Sequence, residues 1–347
     1  MRRLNKYLLL WLMSLSTIGL FAQNDVPLEQ NLTGYQPPIG KLFYGSQRLD
    51  IDAFYRNGKG SLLVDYDRGV LVLLDSTGIK LGEKKLRFRT SQSMHGKIRR
   101  TRLSLYSHTD EDNTFILEEN DSDRYKNKRH YISIGRNHDM KVKTVGIGRR
   151  MLYSKSVFSG SIEFKCIEST GNALYLKKIQ AGQQVDTLYQ QAGVSNNTVE
   201  GQRNISIEMG NGVVHLLDVK NKVLTLYDAN TGKLLSTYKR DFLESAFSGT
   251  GQRLFRDVKL LVDSVSGKLY IVARKLVGKE KYVLYMVGSD DLVPIKLPTY
   301  DRNLLTDFRI AQIFDGNAYL VARTAFKDNK EVIKVALDKA IAEKSRF

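Results

Sequence analysis

The chain has 347 residues, 42% hydrophobic and 26% charged, with 54 Lys and Arg against 37 Asp and Glu, a formal net charge of +17. A single cysteine, Cys166, excludes an internal disulfide framework, and beyond the N-terminal leader no stretch is apolar enough to span a bilayer. A balance this basic favours polyanionic partners or surfaces.

Met1–Ala22 reads as a secretory signal peptide: Arg2, Arg3 and Lys6 precede an apolar run, Tyr7–Phe21, too short for a span of roughly twenty residues. An uncleaved N-terminal anchor is the alternative, and the lack of a cysteine at the cleavage point argues against a lipoprotein. Removing the leader leaves 51 basic against 37 acidic residues, a charge of +14. The next segment, 23–42, contains Pro27, Pro37 and Pro38 and reads as extended, either a disordered lead-in or a segment that docks on a partner. Lys41-Leu-Phe-Tyr44 then reads as a strand that closes a ring from both termini.

From there a unit recurs: a turn residue, an apolar strand, a hairpin and a second strand. Its fullest copy runs from Gly212 to Tyr238. Val223–Tyr227 alternates with a period of two, Asp228 and Asn230 can bond nearby amides, and Gly232 can take a positive φ. Leu71–Leu81 repeats its second half around Asp75-Ser-Thr-Gly78. Strand starts at Gly60, Asn113, Gly171, Gly212, Gly267 and Gly316 are spaced by 53, 58, 41, 55 and 49 residues. Spacing near fifty suits four-stranded propeller blades, because a lone meander cannot bury its own apolar faces. No proline lies between Ile39 and Val293, as central strands require. The expected fold is all-β: a single propeller of about six four-stranded blades over 43–347, with seven blades or a β-sandwich as alternatives. Asp338–Lys344 reads as one short helix.

The Leu226-Tyr-Asp228-Ala-Asn-Thr-Gly232-Lys-Leu-Leu235 stretch and the Gly-x-x-Tyr strand starts resemble exported bacterial β-propellers of the six-bladed and quinoprotein-like kinds. The resemblance implies a fold and not an activity. The chain departs from it in one respect. Its only tryptophan, Trp11, lies in the leader, so the Trp-based blade motifs are missing and no quinone cofactor is expected.

Charge is uneven along the chain. Lys80–Arg102 holds nine basic residues against Glu83, and Arg124–Arg150 holds nine against Asp139. Neighbouring blades one and two would gather these into one basic sector, with Lys97, Arg99, Arg100, Arg102, Lys126, Lys128, Arg129, Arg149 and Arg150 as binding candidates. A solvated outer face without a specific ligand is the plainer reading. The acidic group Asp110–Asp123 between the runs lacks EF-hand spacing and reads as neutralising the adjacent basic strands or as a solvated hairpin tip. Cys166 alternates with Ile162 and Phe164 and reads as buried.

None of the five histidines has zinc-motif spacing, Gly146-Ile-Gly148 lacks the dinucleotide fingerprint, and no nucleophile elbow occurs. No catalytic residue, metal or cofactor is therefore assigned. The expectation is an exported, non-enzymatic scaffold or binding protein of the bacterial envelope, periplasmic or outer-membrane-associated, engaging an envelope protein complex or an anionic glycan such as lipopolysaccharide, with nucleic acid unlikely in that compartment. The alternative is a lyase on polyanionic polysaccharides, with His130-Tyr131 beside Arg129, or Tyr106 and His108, as base and charge clamp.

Overall fold

The computed structural model describes residues 40–86, 88, 101–107, 113–121, 128–146, 153–168, 174–180, 182–191, 205–218, 222–238, 255–275, 282–288, 292–295, 305–324 and 329–337. The leader, residues 23–39 and Asp338–Lys344 lie outside them. The described chain forms 24 strands in six four-stranded antiparallel sheets, a six-bladed β-propeller.

The first strand, β1 (Gly40–Tyr44), leaves its sequence neighbours and pairs with the far end of the chain. Blade 1 is then β2 (Ala53–Asn57), β3 (Gly60–Asp65), β4 (Val70–Leu74) and β5 (Lys80–Lys85). Blade 2 is β6 (Thr101–Ser107), β7 (Thr114–Asp121), β8 (Lys128–Ile134) and β9 (Met140–Gly146). Blade 3 is β10 (Tyr153–Ser159), β11 (Ile162–Glu168), β12 (Leu174–Gln180) and β13 (Gln183–Gln191). Blade 4 is β14 (Ile205–Gly210), β15 (Val213–Asp218), β16 (Val223–Asp228) and β17 (Leu234–Tyr238). Blade 5 is β18 (Phe255–Val262), β19 (Leu269–Lys275), β20 (Tyr282–Val287) and β21 (Leu292–Ile295). Blade 6 is β22 (Leu305–Phe314), β23 (Asn317–Thr324) and β24 (Lys330–Ala336), completed by β1 in the order β1-β24-β23-β22. The closure predicted for Lys41–Tyr44 is present: Lys41 pairs with Lys334 and Leu42 with Ile333.

The strand starts deduced from sequence mark the second strand in five blades. In blade 3 the registration differs. Gly171 precedes the third strand, and the equivalent turn is Gly160-Ser161, before Ile162. With that correction the spacings become 53, 47, 52, 55 and 49 residues. The outlying 58 and 41 arose because β11, Ile162-Glu-Phe-Lys-Cys-Ile-Glu168, interleaves charged residues and does not read as an apolar run.

Second and third strands lie between neighbouring blades, so both of their faces are covered. In blade 1 this buries every residue of β3 and β4, and the side chains divide by parity. Leu63, Val70, Val72 and Leu74 face blade 6, whereas Leu62, Val64, Leu71 and Leu73 face blade 2. That two-sided burial explains why these strands read as continuous apolar runs rather than as alternation. Each fully buried Leu or Val contributes roughly 1.5–3 kcal/mol, and Cys166, fully buried against Phe164, Leu176 and Val214, serves the same role between blades 3 and 4.

Candidate anion-binding face

Strand register separates the connections into two sets. At one end of blade 2, Thr101 pairs with Asp121, Glu119 with Lys128, and Lys128 with Gly146. The strands therefore begin or end there at 101, 121, 128 and 146, and the long connections 86–100, 122–127 and 147–152 depart from that end. Short turns close the opposite end. The blades share this polarity, because short turns of adjacent blades touch. The Asp263 carboxylate in blade 5 accepts the amides of Asp315 (2.8 Å) and Gly316 (2.9 Å) in blade 6.

The short turns are built as the sequence implied. Asp228 Oδ1 accepts the amides of Asn230 (3.1 Å) and Thr231 (2.6 Å), and Gly232 sits at φ 76°. The Thr231 hydroxyl, which donates to the same oxygen at 2.7 Å, and then these amides hold the Asp228 carboxyl below its ordinary range. Asp75 repeats the pattern, accepting from Thr77 and Ile79 at 2.8 Å.

The nine basic candidates fall into three groups. Lys97, Arg99, Arg100, Lys126, Arg149 and Arg150 lie outside the described residues, in the three connections just named. Arg102 and Lys128 lie on strands at that same end of blade 2, Lys128 half-buried. Arg129 is different. It is buried in the seam between blades 2 and 3, 5% exposed, and its guanidinium is consumed by protein groups. Nε and Nη2 donate to Glu118 Oε1 (2.9 and 2.7 Å), and Nη2 also reaches Ser156 Oγ and Glu163 Oε1, both at 2.9 Å. Nη1 donates to the Tyr131 hydroxyl at 3.3 Å, and the guanidinium lies 5.4 Å over the Phe158 ring. Burial works against its charge, but Tyr106, Glu118 and Glu163 outweigh it and raise its pKa. Sequence alternation alone did not reveal this, because residues on both faces of a third strand meet another blade.

Glu163 feels the same opposition: burial raises its pKa, and the bonds from Arg129 and Ser156 more than reverse that. Lys165, beside them, is pushed down by burial despite the nearby Glu163 charge. On the other face of blade 2, His130 Nε2 lies 2.6 Å from Glu119 Oε1, and Nδ1 lies 2.8 Å from Thr144 Oγ1. Phe88 packs edge-on against it at 6.0 Å. Of the two readings of the acidic group, neutralisation of a basic strand residue holds for Glu118, paired with Arg129. His130 is 2% exposed, so it does not face solvent where a polymer would lie, and the Tyr131 hydroxyl accepts from Arg129. His95 and His108 lie outside the described residues. Sequence reasoning also missed the half-buried clasp at ring closure, where Lys330 Nζ meets Asp50 (3.2 Å) and Asp52 (3.1 Å), with only isolated Asp residues as its signal.

No family model matches the chain, and no curated protein matches it. Several solved structures resemble it at low similarity. A Bacteroides fragilis NCTC 9343 protein considered to be exported is 12% identical over 91% of this chain and 98% of its own, with a TM-score of 0.48. A luciferin-regenerating enzyme is 10% identical over 84% and 92%, TM-score 0.45. A chain of a mitotic checkpoint complex is 13% identical over 85% and 78%, TM-score 0.39. At these identities the likeness concerns fold alone, and the propeller assignment rests on the chain's own strand order. Among the described residues, no helix is long and apolar enough to cross a membrane.

Proposed function

We propose that this chain is an exported, non-enzymatic binding or scaffold protein of the bacterial envelope, periplasmic or outer-membrane-associated. It engages an acidic envelope protein or an anionic glycan through basic residues grouped around one end of blade 2. The leader at 1–22 delivers it, 23–42 is an extended lead-in, and the ring provides the rigid scaffold. One observation carries the reading: Arg102 and Lys128 stand at the end of blade 2 from which the connections holding Lys97, Arg99, Arg100, Lys126, Arg149 and Arg150 depart. Arginine's planar fork suits carboxylate and phosphate. Arg129 supports that end from inside and is not itself a contact.

The test compares the leaderless chain with its Arg99→Glu, Arg100→Glu, Arg102→Glu variant, using native envelope extract and purified lipopolysaccharide as probes. Binding should fall steeply with salt, since screening shortens to about 3 Å at 1 M. The variant should bind weakly, with its melting temperature measured alongside as the folding control. Undiminished binding by the variant refutes the reading. Release of unsaturated product from polyuronate, followed by absorbance, would favour the lyase instead.

A further inference from the structure

The seam between blades 6 and 1 holds a cation without a counter-charge. Arg56, half-buried near the short-turn end of β2, lies over three rings of blade 6: Phe43 at 5.5 Å, Phe314 at 5.2 Å and Tyr319 at 5.7 Å. Those rings fix the guanidinium in place but carry no net charge. Nη1 donates to Ser76 O at 2.8 Å, and Nε is buried without a hydrogen-bond partner. Among the described residues no carboxylate pairs with it, in contrast to Arg129. The turn that accepts from Arg56 also presents Ile79, 47% exposed, and Gly78 of that turn abuts the Phe43 carbonyl. A cation and an exposed apolar side chain therefore flank the same strand, β1.

The N-terminal arm is rooted there. Gly40 pairs with Val335, and the Leu337 amide donates to Gly316 O at 2.9 Å, so β1 begins at the short-turn end. Phe43, beneath Arg56, is three residues further on. Residues 23–39 precede Gly40 and hold Asp25 and Glu29 but no Lys or Arg, in a leaderless chain of net charge +14. They also hold Leu32 and Tyr35. An extended chain covers at most about 3.3–3.6 Å per residue, so the eleven residues back from Gly40 to Glu29 span up to about 40 Å, ample for a site beside β1. A short tether also gives the arm a high effective concentration at that site, so individually weak contacts suffice. Charge, reach and point of attachment all match this segment to this seam, and arginine suits a carboxylate.

We infer that residues 23–39 dock on their own ring, in the seam between blades 6 and 1 at the short-turn face, with the Glu29 carboxylate on Arg56 and Leu32 and Tyr35 over Ile79. The arm then supplies the missing counter-charge and caps the turn that adjoins β1. It lies at the opposite face from the blade 2 end assigned to ligand, so the two do not compete, and neither reading depends on the other.

The leaderless chain has no tryptophan, since Trp11 lies in the leader, so Tyr35→Trp provides a single fluorescent reporter in the arm. Its quenching by acrylamide is compared with that in a synthetic peptide of residues 23–39 carrying the same substitution. Docking should lower the quenching constant about threefold or more, because a packed indole loses most of its contact with water. Glu29→Lys and, separately, Ile79→Ser should each return it most of the way to the peptide value. Glu29 lies outside the ring and the Ile79 side chain faces solvent, and melting temperature serves as the folding control. A reporter as accessible in the chain as in the peptide overturns the proposal. Protection that survives both variants places the arm elsewhere and overturns the site. Release by only one variant refutes the contact assigned to the other. Protection that grows with protein concentration shows docking on a second copy, and overturns docking on the same ring.

Discussion

Replacing Arg129 by leucine should destabilise the propeller rather than empty a ligand site. The substitution leaves the Glu118 carboxylate, whose side chain is wholly buried, and Glu163, 17% exposed, without their shared cation. Removing one partner of a buried ion pair costs about 3–5 kcal/mol. At roughly 2.1 cal/mol/K per residue, a ring of about 300 residues has an unfolding entropy near 0.6 kcal/mol/K, so the melting temperature should fall by about 5–8 °C. Differential scanning calorimetry measures it directly. A second variant, Arg129→Leu with Glu118→Gln and Glu163→Gln, should recover much of the loss, because uncompensated charge and not lost packing causes it. Salt should change little in the single variant, as buried groups are poorly screened. A single variant melting within about 1 °C of the parent, or a triple variant no better than the single, would refute the reasoning.

Acid should weaken the ring in two windows. His215 is 6% exposed, and burial pushes its pKa down from 6.5 to about 4. The unfolded chain therefore binds the proton first, and stability falls as pH drops from about 6.5 to about 4, by up to about 3 kcal/mol; a His215→Leu variant should flatten that part of a stability–pH curve. Glu163, held low chiefly by Arg129 against burial, contributes stability that is present above the unfolded carboxylate range and lost as pH falls through its folded value. Glu163→Gln should remove that lower limb, and an unchanged profile would count against the seam assignment. Ring closure should be sensitive at Gly78, with φ 98°, where an added Cβ would stand 2.4 Å from Phe43 O on β1. Gly78→Ala should cost at least about 2 kcal/mol and speed amide exchange in Gly40–Tyr44; unaltered exchange there would dissociate the turn from the closure.

What the sequence revealed and what it hid follow from the geometry of a blade. Short hairpins are local, so Asp75, Asp228 and Gly232 could be assigned their turns from a handful of residues, and the count of six followed from repetition. The blade 3 register slipped at β11 because Glu163 and Lys165 occupy positions that are apolar in other blades, and both are drawn inside by the Arg129 network. That network joins β7, β8, β10 and β11, with Glu118 and Glu163 45 residues apart, and no local pattern couples such residues. The same geometry decides which basic residues can meet a ligand. Arg129, on a third strand, faces blade 3, and Glu118 and Glu163 answer its charge there. Arg48, in the connection from blade 6 to blade 1, meets solvent instead. The run Arg124–Arg150 mixes Arg129 with residues of the connections, so counting charge along the chain placed a buried seam residue among the binding candidates.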